Sequence, residues 1–158
     1  MLRELNEAGL LYVADNMREI DKKEVFATRW DDNPEDLVDC IMAKGSFGWI
    51  SMANDGIPVA AFGAIACWPG VWQVWMFATD RWDEVSSEVT KFIKRIVIPS
   101  IKGTDWLRAE CRSMEGHDTA HRWLEYLGAT REASLKMLGK NGDTFHVYSW
   151  TNDKTNIN

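Results

Sequence analysis

His117 and Glu110 are the two side chains of this sequence best placed by type to take a proton from a reacting group. Imidazole titrates near neutral pH and a desolvated glutamate can be brought there, so either can serve as a general base. Each also has a plainer role. Glu110 falls between Ala109 and Cys111 in a strand-like run and so points to the opposite face. His117 sits beside a helix start and could simply cap it, and His146, between Phe145 and Val147, reads as sheet packing. No Ser/His/Asp set, phosphate-loop lysine or metal-ligand spacing accompanies them.

Two other residue groups stand out. The cysteines Cys40, Cys67 and Cys111 are odd in number, widely spaced and in apolar surroundings, which reads as reduced core thiols. Among nine tryptophans, Trp68, Trp72, Trp75 and Trp82 follow one another too closely for all to be core. Part of that group is a candidate interface, beside the plainer reading of core and hairpin packing.

The elements that must position these residues can be read from periodicity and breakers. Asp15 to Ala27 reads as a charged helix, and Asn33-Pro34-Glu35-Asp36 starts a second one that stops at Gly45. Phe47 to Ala53 and Ile57 to Ala66 read as a hairpin around Asn54-Asp55-Gly56. Val71 to Ala78, almost continuously apolar, is expected to be a central strand. Asp83 to Ile98 is the strongest helix, ended by Pro99, and Trp106 to Cys111 is a strand. A helix capped by Asp118 runs through Tyr126 to a left-handed Gly128. Thr130 to Leu138 and Thr144 to Trp150 close the fold as strands. The fold class is thus α/β (α+β), with residues 1–150 as one domain and 151–158 as a polar, flexible tail.

Composition narrows the function. The chain of 158 residues can bury a core without disulfides or metal. Its formal charge of −6 argues against non-specific nucleic-acid binding. Lys91, Lys94, Arg95 and Lys102 form one local basic group, expected to be the solvated face of their helix. No apolar run reaches the roughly 18 residues that span a bilayer, and the N-terminus lacks signal-peptide features. A reduced, soluble protein made in a cytoplasm is the expectation.

The order of elements resembles the GNAT acyltransferase fold, a mixed and mainly antiparallel sheet flanked by about four helices. The most specific local match is Ala120-His121-Arg122-Trp123-Leu124-Glu125-Tyr126-Leu127-Gly128-Ala129. A closer resemblance is to the gene-thirteen-like internal virion proteins of short-tailed bacteriophages. It is carried by residues 13–25, by Asp55-Gly56-Ile57-Pro58-Val59-Ala60-Ala61-Phe62-Gly63 and by Val74-Trp75-Met76-Phe77-Ala78-Thr79-Asp80. That resemblance implies a protein made in the host cytoplasm and possible packaging in the virion. It also implies contacts with other phage virion or assembly proteins or with a host protein.

The GNAT resemblance also implies a test of chemistry. Such enzymes hold the acetyl-CoA pyrophosphate at the turn after the central strand, which is typically Arg/Gln-rich with two glycines. Here Phe77, Ala78, Thr79, Arg81 and Asp83 are the cofactor-binding candidates, and the turn Asp80-Arg81-Trp82-Asp83-Glu84 is bulky and acidic. The expectation is that ordinary CoA binding is opposed there on Coulomb and steric grounds. The family tyrosine four residues before the closing glycine is Leu124, and Tyr126 lies two residues further on. The resulting expectation is a non-catalytic GNAT-like protein, no enzyme and without cofactor, acting through protein contacts. The alternative is an active acetyl-CoA-dependent N-acetyltransferase using Glu110 or His117 as base.

Overall fold

A computed structural model describes residues 1–153. Seven strands form one sheet in the order β1-β2-β3-β4-β5-β7-β6. They are β1 Leu2–Glu4, β2 Phe47–Met52, β3 Pro58–Trp68, β4 Val71–Ala78, β5 Arg108–Met114, β6 Thr130–Leu135 and β7 Phe145–Thr151. All neighbours are antiparallel except β4 and β5. The apolar run 71–78 is the middle strand of the seven, as its composition predicts. Gly56 adopts φ +80° in the β2–β3 turn, a conformation few other residues take without strain.

Helices α1 Glu7–Asp15, α2 Glu19–Ala27 and α3 Pro34–Ala43 cover one face. Their Leu10, Val13, Phe26, Leu37 and Ile41 pack on Ile50, Ala61 and Phe77. Helices α4 Ser86–Phe92 and α5 Ile98–Lys102 cover the other, where Val85, Val89, Val97 and Ile101 meet Ala60, Phe62 and Ala64. Alternation along β3 thus sends Ala61 to one core and Ala60 and Phe62 to the other. Helix α6 Asp118–Tyr126 packs with Leu124 against Tyr148 of β7. Among the described residues, no helix is long and apolar enough to cross a membrane.

The structure differs from the sequence reading in four places. The helix expected over 15–27 starts only at Glu19, and a helix that was not expected, α1, precedes it over Glu7–Asp15. Asn6 caps α1 by accepting from Gly9 N at 2.9 Å, and the chain breaks at Met17, which bridges to Thr79 at the end of β4. Pairing with the sheet overrides local helix propensity there. The long helix does not stop at Pro99 either. A π turn over Ile93–Val97 widens the helix by one residue, which accommodates the missing N–H and the ring of Pro99, so α5 continues to Gly103. The strand expected over 106–111 runs from Arg108 to Met114, leaving Leu107 exposed. Finally, Thr151 belongs to β7, and Asn152 donates from its backbone to Leu107 O and from its side chain to Trp106 O. The tail expected from 151 therefore begins later, and residues 154–158 of it lie outside the described residues.

Candidate functional site

Where β4 and β5 run parallel they pair only through Val71 with Arg108, Trp72 with Ala109 and Gln73 with Glu110. Past that point β5 stays with β7 as far as Met114, and β4 stays with β3 as far as Ala78, so the two strands part. The end of β4 is closed by another element. Thr79 N donates to Val59 O on the β3 side, so by alternation Ala78 turns its backbone into the gap. There Ala78 O accepts from Arg18 N at 3.0 Å, and Ala78 N donates to Asp21 Oδ2 at 2.8 Å.

A polar cluster sits beside the gap. His117, 5 % exposed at the start of α6, has its Nδ1 2.5 Å from Glu24 Oε2 and its Nε2 3.6 Å from Asp21 Oδ1. Ser113 Oγ donates to the same Glu24 oxygen at 3.3 Å. Helix α2 thus brings two carboxylates to one histidine across the sheet. Burial pushes the Asp21 carboxyl above the ordinary aspartate range, and the Arg18 guanidinium opposes that shift.

The gap opens into a cleft of about 690 Å³ lined by both parted strands, including Val74, Met76, Cys111 and Ser113. Seven cationic side chains line it, Arg18, Arg29, Lys44, Lys91, Lys94, Lys102 and Arg112, against two carboxylates, Asp21 and Glu24. Lys91, Lys94 and Lys102 are exposed, as expected of a solvated helix face, and they also stand at the edge of this cleft. From α4 the cleft receives Ser86, Ser87, Thr90 and Lys91, from the π turn Lys94, and from α6 Thr119, Trp123 and Tyr126. A second cavity of about 580 Å³ lies between α2, the β5–α6 turn and the β6–β7 loop. His117 is the one residue that lines both.

The acids of the turn after β4 face away from this cleft. Asp80, Asp83 and Glu84 are not among the residues lining the cleft. Arg81 grips Glu84 with two hydrogen bonds, at 2.7 and 2.8 Å, and pairs with Asp55 at 3.0 Å. The Arg81 hydrogen bonds hold the Glu84 carboxyl below its ordinary range, and the Ile57 N–H, with Arg81 second, does the same for Asp55. The charge an anion would meet in the cleft is that of α4 and α5, which is positive. Trp82 does line the cleft, edge-on to Trp123 at 5.7 Å. The amides of Trp82, Glu84 and Val85 bond to carbonyls within the turn.

The five residues expected to hold the cofactor are not gathered on the wall of the cleft. Phe77 lines the cleft but is buried on the α1 face, Thr79 is tied to β3, Ala78 is capped, and Arg81, paired with Glu84 and Asp55, lies outside the lining with Asp83. Ser86, Ser87, Lys91 and Lys94 line the cleft instead, with two hydroxyls and two ammonium groups. Sequence reasoning missed them because it looked to the turn; the spacing of Ser87, Lys91 and Lys94, four and then three residues along one helix face, was the available signal.

Of the two base candidates, the structure brings His117 to the split and commits Glu110 elsewhere. Glu110 accepts from Arg108 Nε at 2.6 Å, and the same guanidinium donates to both oxygens of Glu132. Tyr126 is exposed at the rim, under Lys94 Nζ at 4.3 Å, and Leu124 is buried. His146 accepts or donates through Nδ1 to Ser134 Oγ at 2.7 Å, in keeping with a sheet-packing role. The cysteines are free, and Cys67 is exposed rather than in the core. Burial pushes the Cys111 thiol up to about 12, so it offers no thiolate at neutral pH. Among the described residues no group of His, Cys, Asp and Glu could hold a metal ion.

The four tryptophans do not share one surface. Trp68 is exposed, Trp72 packs edge-on to Phe47, and Trp75 donates to Ser46 Oγ at 2.8 Å on the opposite face from Trp82.

No family model matches the sequence, and no curated protein matches it. Solved structures do match. The yncA protein of Salmonella typhimurium, solved with its cofactor acetyl-CoA, is 13 % identical with a TM-score of 0.70, covering 98 % of this chain and 94 % of that one. A GNAT-family acetyltransferase from Bacillus anthracis is 12 % identical with a TM-score of 0.68, over 95 % and 93 %. Ribosomal-protein-S5-alanine acetyltransferase from Vibrio fischeri is 12 % identical with a TM-score of 0.65, over 97 % and 93 %. The chain has the GNAT fold.

Proposed function

We propose that the chain is an N-acyltransferase that takes its acyl group from a coenzyme A thioester lying in the split between β4 and β5. The observation that carries this reading is the cleft itself. It is lined by cations in an acidic protein, runs between two parted strands, and reaches the one histidine that also faces a second cavity. The structural neighbours support it coarsely, since those reported above include acetyltransferases and one protein solved with acetyl-CoA. This is the alternative reading of the sequence, and it now has the better support.

The residues divide the work. Ser86, Ser87, Lys91 and Lys94 would hold the phosphates, and the apolar walls at Val74 and Met76 would exclude water from the chain that leads to the thioester. The cofactor supplies an acyl group activated for transfer to an amine. The acceptor amine enters by the second cavity, because that side of His117 is open to it. The Glu24 carboxylate on Nδ1 fixes the tautomer whose Nε2 carries the lone pair, and that nitrogen takes the proton the amine must lose. Leu124 can donate no proton, so the chain supplies a base at this site without a tyrosine acid.

Calorimetric titration with acetyl-CoA is the direct test, followed by release of free CoA thiol against a panel of amines and peptide N-termini. Absence of heat at millimolar ligand would sink the reading.

One observation favours a second reading. Trp82 fills the turn and its amides satisfy one another, as expected of a GNAT-fold protein that has lost its cofactor and acts by contact. The partners would then be the phage virion or assembly proteins that the sequence resemblance implies, and mass spectrometry of purified particles would find the chain there.

A further inference from the structure

Asp21 is buried to 3 % exposure, and a buried carboxylate is costly unless donors surround it. Its contacts come from three elements. Oδ2 accepts from Ala78 N at the end of β4 and lies 2.9 Å from Arg18 Nε. The contact with Arg18 is an ion pair rather than an aligned hydrogen bond, since that Nε has no aligned acceptor. Oδ1 faces His117 Nε2 at 3.6 Å. One carboxylate therefore touches the edge of the parted strand with one oxygen and the candidate base with the other.

Both contacts have consequences. The Ala78 N–H is the group a continued β5 would have paired, and with Asp21 on it and Arg18 N on Ala78 O, β4 cannot zip closed. Asp21 Oδ1 also stands beside Nε2, the nitrogen that would take the proton. Several other charged groups surround His117. Glu24 and Arg18 come from α2 and its start, Glu115 from the β5–α6 turn, and Asp118 and His121 from α6. Lys22, Lys23, Lys140 and Asp143 stand across the second cavity. Arg18 holds the strand through its backbone N–H, and Asp21 is the group that holds it through a charged side chain.

We propose that Asp21 is a positioning residue that couples the two halves of the site, keeping β4 apart from β5 while supplying the charge against which His117 takes up a proton. The proposal deepens the acyltransferase reading and rests on it only for its kinetic consequence.

The test is NMR titration of the imidazole nitrogens, with His117→Gln identifying one of the three histidine signals. In the unaltered protein, the Ala78 amide shift follows pH with the midpoint of the His117 ring. In Asp21→Asn, whose side-chain oxygen still accepts from Ala78 N–H, the His117 midpoint falls by about one pH unit, and Asp21→Glu restores it. A midpoint unmoved by Asn, or an Ala78 amide indifferent to the His117 titration, overturns the proposal. The second measurement needs no variant, so a variant that fails to fold does not protect the idea. With turnover, the acid limb of kcat/KM moves by the same amount while KM for the thioester stays. Absence of turnover at every pH counts against the acyltransferase reading and leaves the NMR midpoints to decide the role of Asp21.

Discussion

His117 Nδ1 and Glu24 Oε2 lie 2.5 Å apart although 93 positions separate them in the chain. The contact exists because α2 crosses the end of the parted strands and α6 begins there. A histidine held this way has a fixed tautomer and orientation, which a solvated histidine lacks. Replacing His117 by Ala is expected to lower kcat by about 10²- to 10⁴-fold, the usual worth of a general base. Glu24→Gln, which keeps a hydrogen-bonding group on Nδ1, should cost less. Neither should change acetyl-CoA affinity, since both residues stand away from Lys91 and Lys94 in the sequence and on other elements. Equal losses of binding and turnover would mean that the pair is structural.

Lys91 and Lys94 face the cleft from one side of α4 and the π turn. If they hold phosphates, Lys91→Ala with Lys94→Ala should weaken acetyl-CoA binding about tenfold at low salt, with the difference shrinking as salt screens the charges. A dephosphorylated analogue of the cofactor should lose less, and an analogue lacking only the sulfur should lose as much. Calorimetry at two ionic strengths checks this, and an affinity indifferent to both lysines would place the phosphates elsewhere.

Much of the frame was legible before the structure. The middle strand, the hairpin at Gly56, α3 behind Asn33-Pro34 and the left-handed Gly128 after α6 all follow from apolar runs and local breakers. What escaped was set by contacts between distant segments. The break at Met17 is made by a bridge to Thr79, and the passage through Pro99 by a π turn. The site was half legible for the same reason. His117 could be named from its type, but Glu24 and Asp21 reach it only through the fold. The acids of the turn looked decisive in sequence because nothing there shows that Arg81 reaches back to Asp55.

Asp21 should also leave a signature in stability. Burial raises its carboxyl above the ordinary value, so the folded state holds a proton to higher pH than the unfolded chain does. The folded state is therefore favoured below the unfolded pKa, about 3.9, and loses that advantage as pH rises through the folded value. At neutral pH the cost of the buried charge is fully present. Asp21→Asn keeps the Ala78 hydrogen bond and removes the charge, so its Tm at pH 7 should rise by about 3 °C, a gain that fades toward pH 3. A Tm that falls at pH 7 would show that the pairing with Arg18 outweighs the burial cost.

His121 gives the opposite slope. Its ring stacks on Tyr148 at 5.2 Å, stands edge-on to His146 at 5.4 Å, and has Arg131 Nη2 3.4 Å from Nδ1. Its Nε2 is buried without a hydrogen-bond partner. Burial first, and the Arg131 charge second, hold this histidine below its ordinary value. In the window between the folded and unfolded values the unfolded chain binds more protons, so stability is lost as pH falls from about 6.5 toward the folded value. His121→Phe keeps the stack on Tyr148 and removes the titration. Between pH 7.5 and pH 5 the unaltered protein should therefore lose more Tm than the Phe variant, while the carboxylates common to both contribute equally. Parallel curves over that range would show that His121 takes up its proton as readily folded as unfolded.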